Sequence, residues 1–217
     1  MKTYHKINSL FLRDMESEGK TKPLLIGQWA QEEFRYLADN KWTWTEKIDG
    51  TNIRAHYDGT NVTFGGRTDR AQIPKHLADH LSATITPKMM EESFPSVEYA
   101  QTDVTLYGEG YGIKIQHGHN YIRNGVGFIL FDIKVGGWWL RRDTCEDIAK
   151  ATGLKIVPIV GEGTIQDAID FVRDGFVSLI SENREYMAEG VVIKPSVDLL
   201  ARSGQRIISK VKTVDFQ

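Results

Sequence analysis

The sequence predicts an α+β fold, and three observations carry that reading. Runs of period-two alternation recur along the chain, two of them turn through Asp-Gly pairs, and segments with helical periodicity are mixed among the strand pairs. Apolar residues make up 41% of the 217 positions, enough for a substantial core. No internal repeat, low-complexity tract or Pro/Ser-rich linker divides the chain, so a single domain over residues 1–217 is expected. In chain order, residues 31–40 read as a helix. Residues 42–48 alternate, with Trp42, Trp44, Glu46 and Ile48 on one face and Thr43, Thr45 and Lys47 on the other, before the turn at Asp49-Gly50. Residues 53–57, the Asp58-Gly59 turn and residues 62–64 form a predicted antiparallel hairpin. A helix over 74–83 is followed by strands over 105–109 and 127–134. The helix over 142–152 starts with basic residues, against the helix dipole. A further helix over 165–179 and strands over 190–194 and 206–212 complete the pattern.

Composition narrows the function classes. The lone Cys145 excludes an intramolecular disulfide framework and, with no partner thiols, reads as a packing residue in a reducing compartment. No run reaches the roughly 18–20 apolar residues of a membrane-spanning helix, and the first twelve residues lack a secretory apolar stretch, so a cytoplasmic protein is expected, in the host cytoplasm if phage-encoded. A formal net charge of −2 argues against a chain that is basic throughout. Cations nevertheless cluster at Arg67/Arg70/Lys75, at Arg141/Arg142 and at Arg202/Arg206/Lys210/Lys212, which leaves room for a local anion site.

The residues able to do chemistry each have an ordinary reading too. Most strand lysines are simply solvated, yet Glu46, Lys47, Asp49 and Asn52 crowd around Gly50 more densely than a turn requires. A lysine amine becomes a nucleophile only after losing its proton, which nearby cations or desolvation promote, so cations should be supplied from elsewhere in the chain. Lys210 and Lys212 share one face of a strand; alone they would read as lysines protecting a sheet edge. Glu189-Gly190-Val191-Val192-Ile193-Lys194-Pro195 is another alternating strand, in which Gly190 permits close backbone approach and whose ordinary reading is an edge strand ended by Pro195. Gly108-Glu109-Gly110 sets a carboxylate between glycines, which by itself reads as a flexible turn and does not match a dinucleotide fingerprint. Phe131, ahead of Asp132 in an apolar run, reads on its own as core.

Taken in order, EKIDGTN, GGR, GEG, FILFDI, EGVVIKP and SKVK resemble the successive motifs of the covalent nucleotidyltransferase superfamily, and more narrowly the ATP-dependent RNA ligases of the phage RNA ligase 2-like kind. The resemblance runs over about residues 42–212, and the form with Asn52 after the turn is closer to RNA ligases than to DNA ligases or capping enzymes. It implies a nucleotidyltransferase (ATP-grasp-like) core of two antiparallel sheets flanked by helices, with the nucleotide between the sheets. It also implies site residues. Lys47 would attack the α-phosphorus of ATP, while Glu46, with neighbouring backbone such as that of Ile48, would meet the adenine edge. Phe131 would stack on the adenine ring and Glu109 would meet the ribose. Asn52 and Arg67 would face the phosphates, Glu189 would stand near a Mg²⁺ or Mn²⁺ ion, and Lys210 and Lys212 would hold the triphosphate. Asp49 is expected to support the loop.

The implied reaction carries AMP from Lys47 to an RNA 5′-phosphate and seals that end to a 3′-hydroxyl. Longer relatives continue after the last motif into an OB-fold or helical module, whereas this sequence stops five residues after Lys212, so an adenylyltransferase domain alone is expected, with an RNA-binding partner protein as one way to complete it. Tyr4-His5-Lys6-Ile7, Phe11-Leu12-Arg13-Asp14 and Trp29 are candidates for nucleotide or RNA contacts or, equally, for a packing strap. The alternatives are a stand-alone adenylyltransferase, a DNA ligase-like or capping nucleotidyltransferase, and a nucleotide- or RNA-binding protein without catalysis.

Overall fold

A computed structural model describes residues 2–18, 22–95, 97 and 102–216. Its elements are β1 (Asn8–Ser9), β2 (Phe11–Arg13), β3 (Leu24–Trp29), α1 (Glu32–Tyr36), β4 (Trp42–Glu46), β5 (Thr51–Tyr57) and β6 (Val62–Gly65). There follow α2 (Lys75–Thr84), α3 (Pro87–Ser93), β7 (Val104–Gly112), β8 (Val126–Val135), β9 (Trp138–Trp139) and α4 (Arg142–Thr152). The chain continues through β10 (Lys155–Ile156), β11 (Ile159–Gly163), α5 (Ile165–Asp174), β12 (Gly190–Pro195) and β13 (Ser209–Lys212). The fold is α+β, as expected. Its contacts divide it into two compact units, one built from Met1–His5, Asp49–Val157 and Ile180–Asn183, the other from Lys6–Ile48, Pro158–Leu179 and Arg184–Gln217. None of the described helices is long and apolar enough to cross a membrane.

The first unit is organised on a sheet of order β10-β8-β7-β5-β6, with β9 added to β8. Its pairs are antiparallel except β10 beside β8. The predicted hairpin is present as β5 and β6. Ile53, Ala55 and Tyr57 from β5 join Leu77 and Leu81 of α2, Met90 of α3 and Cys145 and Ala149 of α4 in one core, which makes Cys145 the packing residue its isolation suggested. Gly108-Glu109-Gly110 is not a flexible turn but the interior of β7, paired on both sides. Its glycines are there for packing: a Cβ on Gly108 would lie 2.3 Å from the Phe128 ring, and one on Gly110 would lie 2.6 Å from Leu77.

The second unit has a sheet of order β1-β13-β12-β4-β11, antiparallel except β1 beside β13, and a separate β2-β3 pair. Both β12 and β13 are interior strands, so neither edge-strand reading applies. The alternation read from the sequence is realised in β4, where Trp42 and Trp44 are buried with Val191, Ile193 and the Ile165, Ala168, Ile169 and Val172 stripe of α5. Full burial of each large apolar side chain contributes about 1.5–3 kcal/mol. A capping box between Thr164 and Asp167 starts α5, and Gly175 at φ 75° ends it, five residues before the predicted end. Helix α1 is shorter than predicted; beyond it the Leu37 carbonyl accepts from Trp42 Nε1 at 2.8 Å. Strand β13 begins only at Ser209, because Arg206 forms an isolated bridge with Leu200.

Candidate active site

In the second unit, three predicted residues meet because of sheet register. The Lys47 amide donates to the Gly190 carbonyl at 2.9 Å, extending the β4-β12 ladder by one residue. Gly190 is in turn opposite Lys212, so Lys47, Gly190 and Lys212 form one row across neighbouring strands, and opposed residues in antiparallel pairs share a face. Gly190 has φ 145°, and a Cβ there would lie 2.1 Å from the Val211 carbonyl oxygen, so no other residue fits without movement. The preceding residue, Glu189, bridges the row: its Oε2 is 2.6 Å from Lys47 Nζ and its Oε1 is 2.5 Å from Lys212 Nζ. Burial acts to raise the Glu189 carboxyl, but the charges of Lys47 and Lys212 outweigh it and hold the group below the ordinary glutamate value.

Lys210 lies two residues before Lys212 on β13, and burial, followed by the charges of Lys212, Lys47 and Arg13, pushes its ammonium below the usual lysine range, with Glu189 opposing. Arg13 is itself held by both oxygens of Asp215, at 3.0 and 2.7 Å. Cations therefore converge here with their nearby carboxylates already engaged, an arrangement that favours a polyanion. Among the described residues no group of three or more His, Cys, Asp and Glu side chains forms a cage for a metal ion. Glu189 is the carboxylate within the lysine cluster.

Glu46 faces the opposite way from Lys47 and is buried. It accepts hydrogen bonds from Ser178 Oγ and, at 2.9 Å, from the Leu179 amide. Burial raises its carboxyl above the ordinary value, and those two hydrogen bonds partly counter the effect. The side chain thus pins the segment after α5. Ile48 is also buried.

In the first unit, Asn52 on β5 stands directly opposite Glu109 on β7. Asn52 Oδ1 is buried and has no hydrogen-bond partner among the described residues, and such an unpaired acceptor costs about 1–3 kcal/mol. Phe131 occupies a β-bulge: Tyr107 pairs with Asp132 and Gly108 with Leu130, leaving Phe131 as the extra residue of β8. A bulge re-aims the side chain it carries, and Phe131 is half-buried while Leu130 and Asp132 on either side are buried. Its ring meets the edge of Tyr4 at 5.0 Å, and the Tyr4 hydroxyl donates to the Asp132 carboxylate. The N-terminal stretch therefore packs in this unit as a strap beside Phe131.

Arg67 is exposed, just past β6. The sequence reading missed what lies beneath it: Arg54 is fully buried, with Nε donating to the Gly66 carbonyl at 2.7 Å and Nη2 to Asp69 at 2.9 Å, so its guanidinium holds both sides of the turn that carries Arg67. An arginine set between the apolar Ile53 and Ala55 in a strand is the signal that would have found it. Asp49 supports a loop, as expected: its amide donates to the Tyr121 hydroxyl at 3.0 Å and its carboxylate lies 2.6 Å from His117 Nδ1.

Comparison with known proteins follows the same lines. The family model described as RNA ligase matches residues 40–212. No curated protein sequence matches the chain. Solved structures of Naegleria gruberi RNA ligase are similar: one with PPi has a TM-score of 0.61 at 19% identity, covering 98% of this chain and 62% of that one. A mutant of the same ligase with ATP and Mn has a TM-score of 0.61 at 16% identity, covering 99% and 63%. An apo mutant has a TM-score of 0.60 at 18% identity, covering 85% and 53%. At these identities the likeness establishes the fold, and the chain spans between 53% and 63% of the length of those ligases.

Proposed function

The chain belongs to the RNA ligase family, and from that premise we propose that it joins RNA ends using ATP, through a covalent lysyl-AMP on Lys47. The observation that carries this reading is the row Lys47, Gly190, Lys212 bridged by Glu189, with Lys210 beside it. A nucleophilic amine needs a fixed direction of attack and cations around the phosphates it meets, and this row offers both.

In the first step the Lys47 ammonium would give one proton to solvent, and the freed Nζ lone pair would form a bond to the α-phosphorus of ATP. The α-phosphorus bond to the bridging oxygen breaks, pyrophosphate leaves with the electron pair, and the second proton that Nζ sheds as the phosphoramidate forms also passes to solvent. Glu189 would hold Nζ in place beforehand, and Lys210 and Lys212 would stabilise the charge growing on the departing pyrophosphate. A divalent cation, when bound, would neutralise phosphate charge and orient the leaving group. Glu189 fits such an ion as a single hard oxygen donor, since magnesium-like ions take most remaining ligands from phosphates and water. Structures of mutants of the Naegleria gruberi ligase with ATP and Mn, and with AMP and Mn, support a nucleotide and a divalent ion here.

The residues of the first unit take the roles the family resemblance gives them: Phe131 against adenine, Glu109 at the ribose, Asn52 and Arg67 on the phosphate side. Phosphate oxygens only accept, so Asn52 would meet them through Nδ2, while its buried, unpaired Oδ1 calls for a donor such as a nucleotide hydroxyl. AMP would then pass to an RNA 5′-phosphate, and a 3′-hydroxyl would displace it to form the phosphodiester.

Incubation with α-labelled ATP and Mg²⁺ or Mn²⁺ tests the reading. The protein should acquire an acid-stable, hydroxylamine-sensitive label, and Lys47→Ala should reduce it to background, a loss of at least about 10⁴-fold since no other nucleophile replaces the amine. Absence of label on the wild-type chain would reduce the protein to a binder. With 5′-phosphorylated nicked duplex added, joined product supports ligation, and adenylylated ends that never join point to a stand-alone transferase.

A further inference from the structure

We propose that residues 113–123, Ile-Lys-Ile-Gln-His-Gly-His-Asn-Tyr-Ile-Arg, form a rigid surface loop that binds the phosphodiester backbone of the RNA substrate. This rests on the reading of the chain as an RNA ligase. No acidic residue occurs from Gly110 to Phe131, whereas the loop carries two exposed cations, Lys114 and Arg123, with two exposed imidazoles, His117 and His119, between them, in a chain whose net charge with histidine neutral is −2. Density of one sign against an opposite overall balance is the electrostatic footprint of a local polyanion site.

The loop is also strained and tightly held. Lys114 has φ 61° and Gln116 has φ 44°, backbone conformations that cost of order 1–3 kcal/mol each for residues with side chains and persist where the surroundings over-determine them. The surroundings do so here. The Ile113 amide donates to the Gly125 carbonyl at 2.9 Å, Gly118 to Ile115 at 2.7 Å and Glu182 to Tyr121 at 3.0 Å, while Ser181 Oγ donates to the Asn120 carbonyl at 2.6 Å. Asp49 holds the loop at both Tyr121 and His117, and Ile115, Gly118 and Tyr121 are buried beneath it. Two carboxylates are engaged by the loop: Asp49 by His117, and Glu182 by the Arg123 amide at 3.0 Å. The backbone is therefore fixed, and the side chains of Lys114, Gln116, His119 and Arg123 project from it. A solvated loop has no need of this strain; a loop that must present cations at fixed spacing to a stiff phosphate backbone does. Contacts of this kind position a nucleic acid without reading its sequence.

The test compares Lys114→Glu/Arg123→Glu with the wild-type chain and with a control pair, Lys88→Glu/Arg141→Glu, which makes the same change in net charge on other exposed side chains of the same unit. Binding to 5′-phosphorylated nicked duplex RNA is measured by fluorescence anisotropy across a series of salt concentrations, with thermal unfolding confirming that each variant is folded. The loop pair should weaken binding about tenfold or more and lower the salt slope by about 1.5–2, the share of two lost phosphate contacts. The control pair should leave the slope unchanged. Equal binding by the loop pair and the wild type, or equal weakening by the control pair, overturns the proposal. A wild-type chain that forms lysyl-AMP but does not bind RNA also overturns it while leaving the adenylylation reading intact. One that binds RNA through this loop without acquiring label leaves the loop assignment standing and removes the ligase reading.

Discussion

In the second unit Lys47, Lys212 and Glu189 satisfy one another, whereas in the first Asn52 keeps a buried acceptor unpaired and Phe131 stands out at a bulge. The second unit thus gathers charge that is balanced within the row. The first offers backbone irregularity and an unmet hydrogen bond. The difference implies distinct failures: removing a charge from the lysine row should damage the chemical step, while altering the bulge should damage nucleotide affinity.

The largest expected effect is in the row. Glu189→Gln keeps the size and one acceptor but removes the counter-ion that Lys47 and Lys212 share. Lysyl-AMP formation at saturating ATP should fall by about 10²–10³-fold, the scale for loss of one preorganised electrostatic partner, with circular dichroism unchanged. A fall of less than about threefold would mean that the row does not prepare Lys47. Phe131→Ala should behave differently. Stacking of a base on an aromatic ring is worth about 1–3 kcal/mol, so KM for ATP should rise about 5- to 150-fold with kcat moved much less, and Phe131→Tyr should restore most of the affinity. If Phe131→Ala lowered kcat as strongly as Glu189→Gln, the division between the two regions would collapse.

The same contrast explains what could be read in the sequence. Lys210 and Lys212 are legible as a pair because strand alternation places them on one face, and Lys47 and Glu189 because their motifs occur in a recognisable order. The bridging of the two lysines was less so. Simple alternation puts Glu189 with Val191 and Ile193, and only the positive φ at Gly190 turns it into the row. The bulge at Phe131 depends on register between β7 and β8, which no local pattern records. Arg54 and the pairing of Asp49 with His117 are long-range choices of the fold. Strands of two residues, such as β1, β9 and β10, are too short to show a period at all.

Within the second unit the half-buried Glu189 and the buried Glu46 should respond to pH with opposite sign. The Glu189 carboxyl is depressed in the folded state, so its contribution to stability is present above its unfolded value of 4.5 and is lost as pH falls through the lower folded value. Glu46 is raised, so its ionisation opposes folding; its contribution is greatest below 4.5 and declines as pH rises through the higher folded value. Urea midpoints measured from pH 7 down to pH 3 should therefore show a flatter acid limb in Glu189→Gln than in the wild type, and a steeper one in Glu46→Gln. Identical slopes in both variants would show that neither carboxyl is perturbed in the stated direction.

The smallest effect sharpens the comparison from the first unit's side, at a helix that sequence periodicity passed over although its signal was present. Thr86-Pro87 is a helix-start pair, with a hydroxyl cap followed by proline in the first turn. In α3, Thr86 Oγ1 accepts the Met89 amide at 3.2 Å, and the short helix that follows buries Met90 in the core beneath the sheet. Thr86→Ala removes the cap and leaves the rest intact, costing about 1 kcal/mol, or a Tm lower by about 2–4 °C for a chain of this length. Thr86→Ser should recover most of that loss because it keeps the acceptor. Lysyl-AMP formation at 25 °C should stay within about twofold of wild type in both variants, since a cap of this strength leaves the native population dominant. A loss in Thr86→Ser equal to that in Thr86→Ala would assign the effect to the methyl group's packing rather than to the hydrogen bond, and a parallel fall in adenylylation would tie this unit's stability to the chemistry of the lysine row.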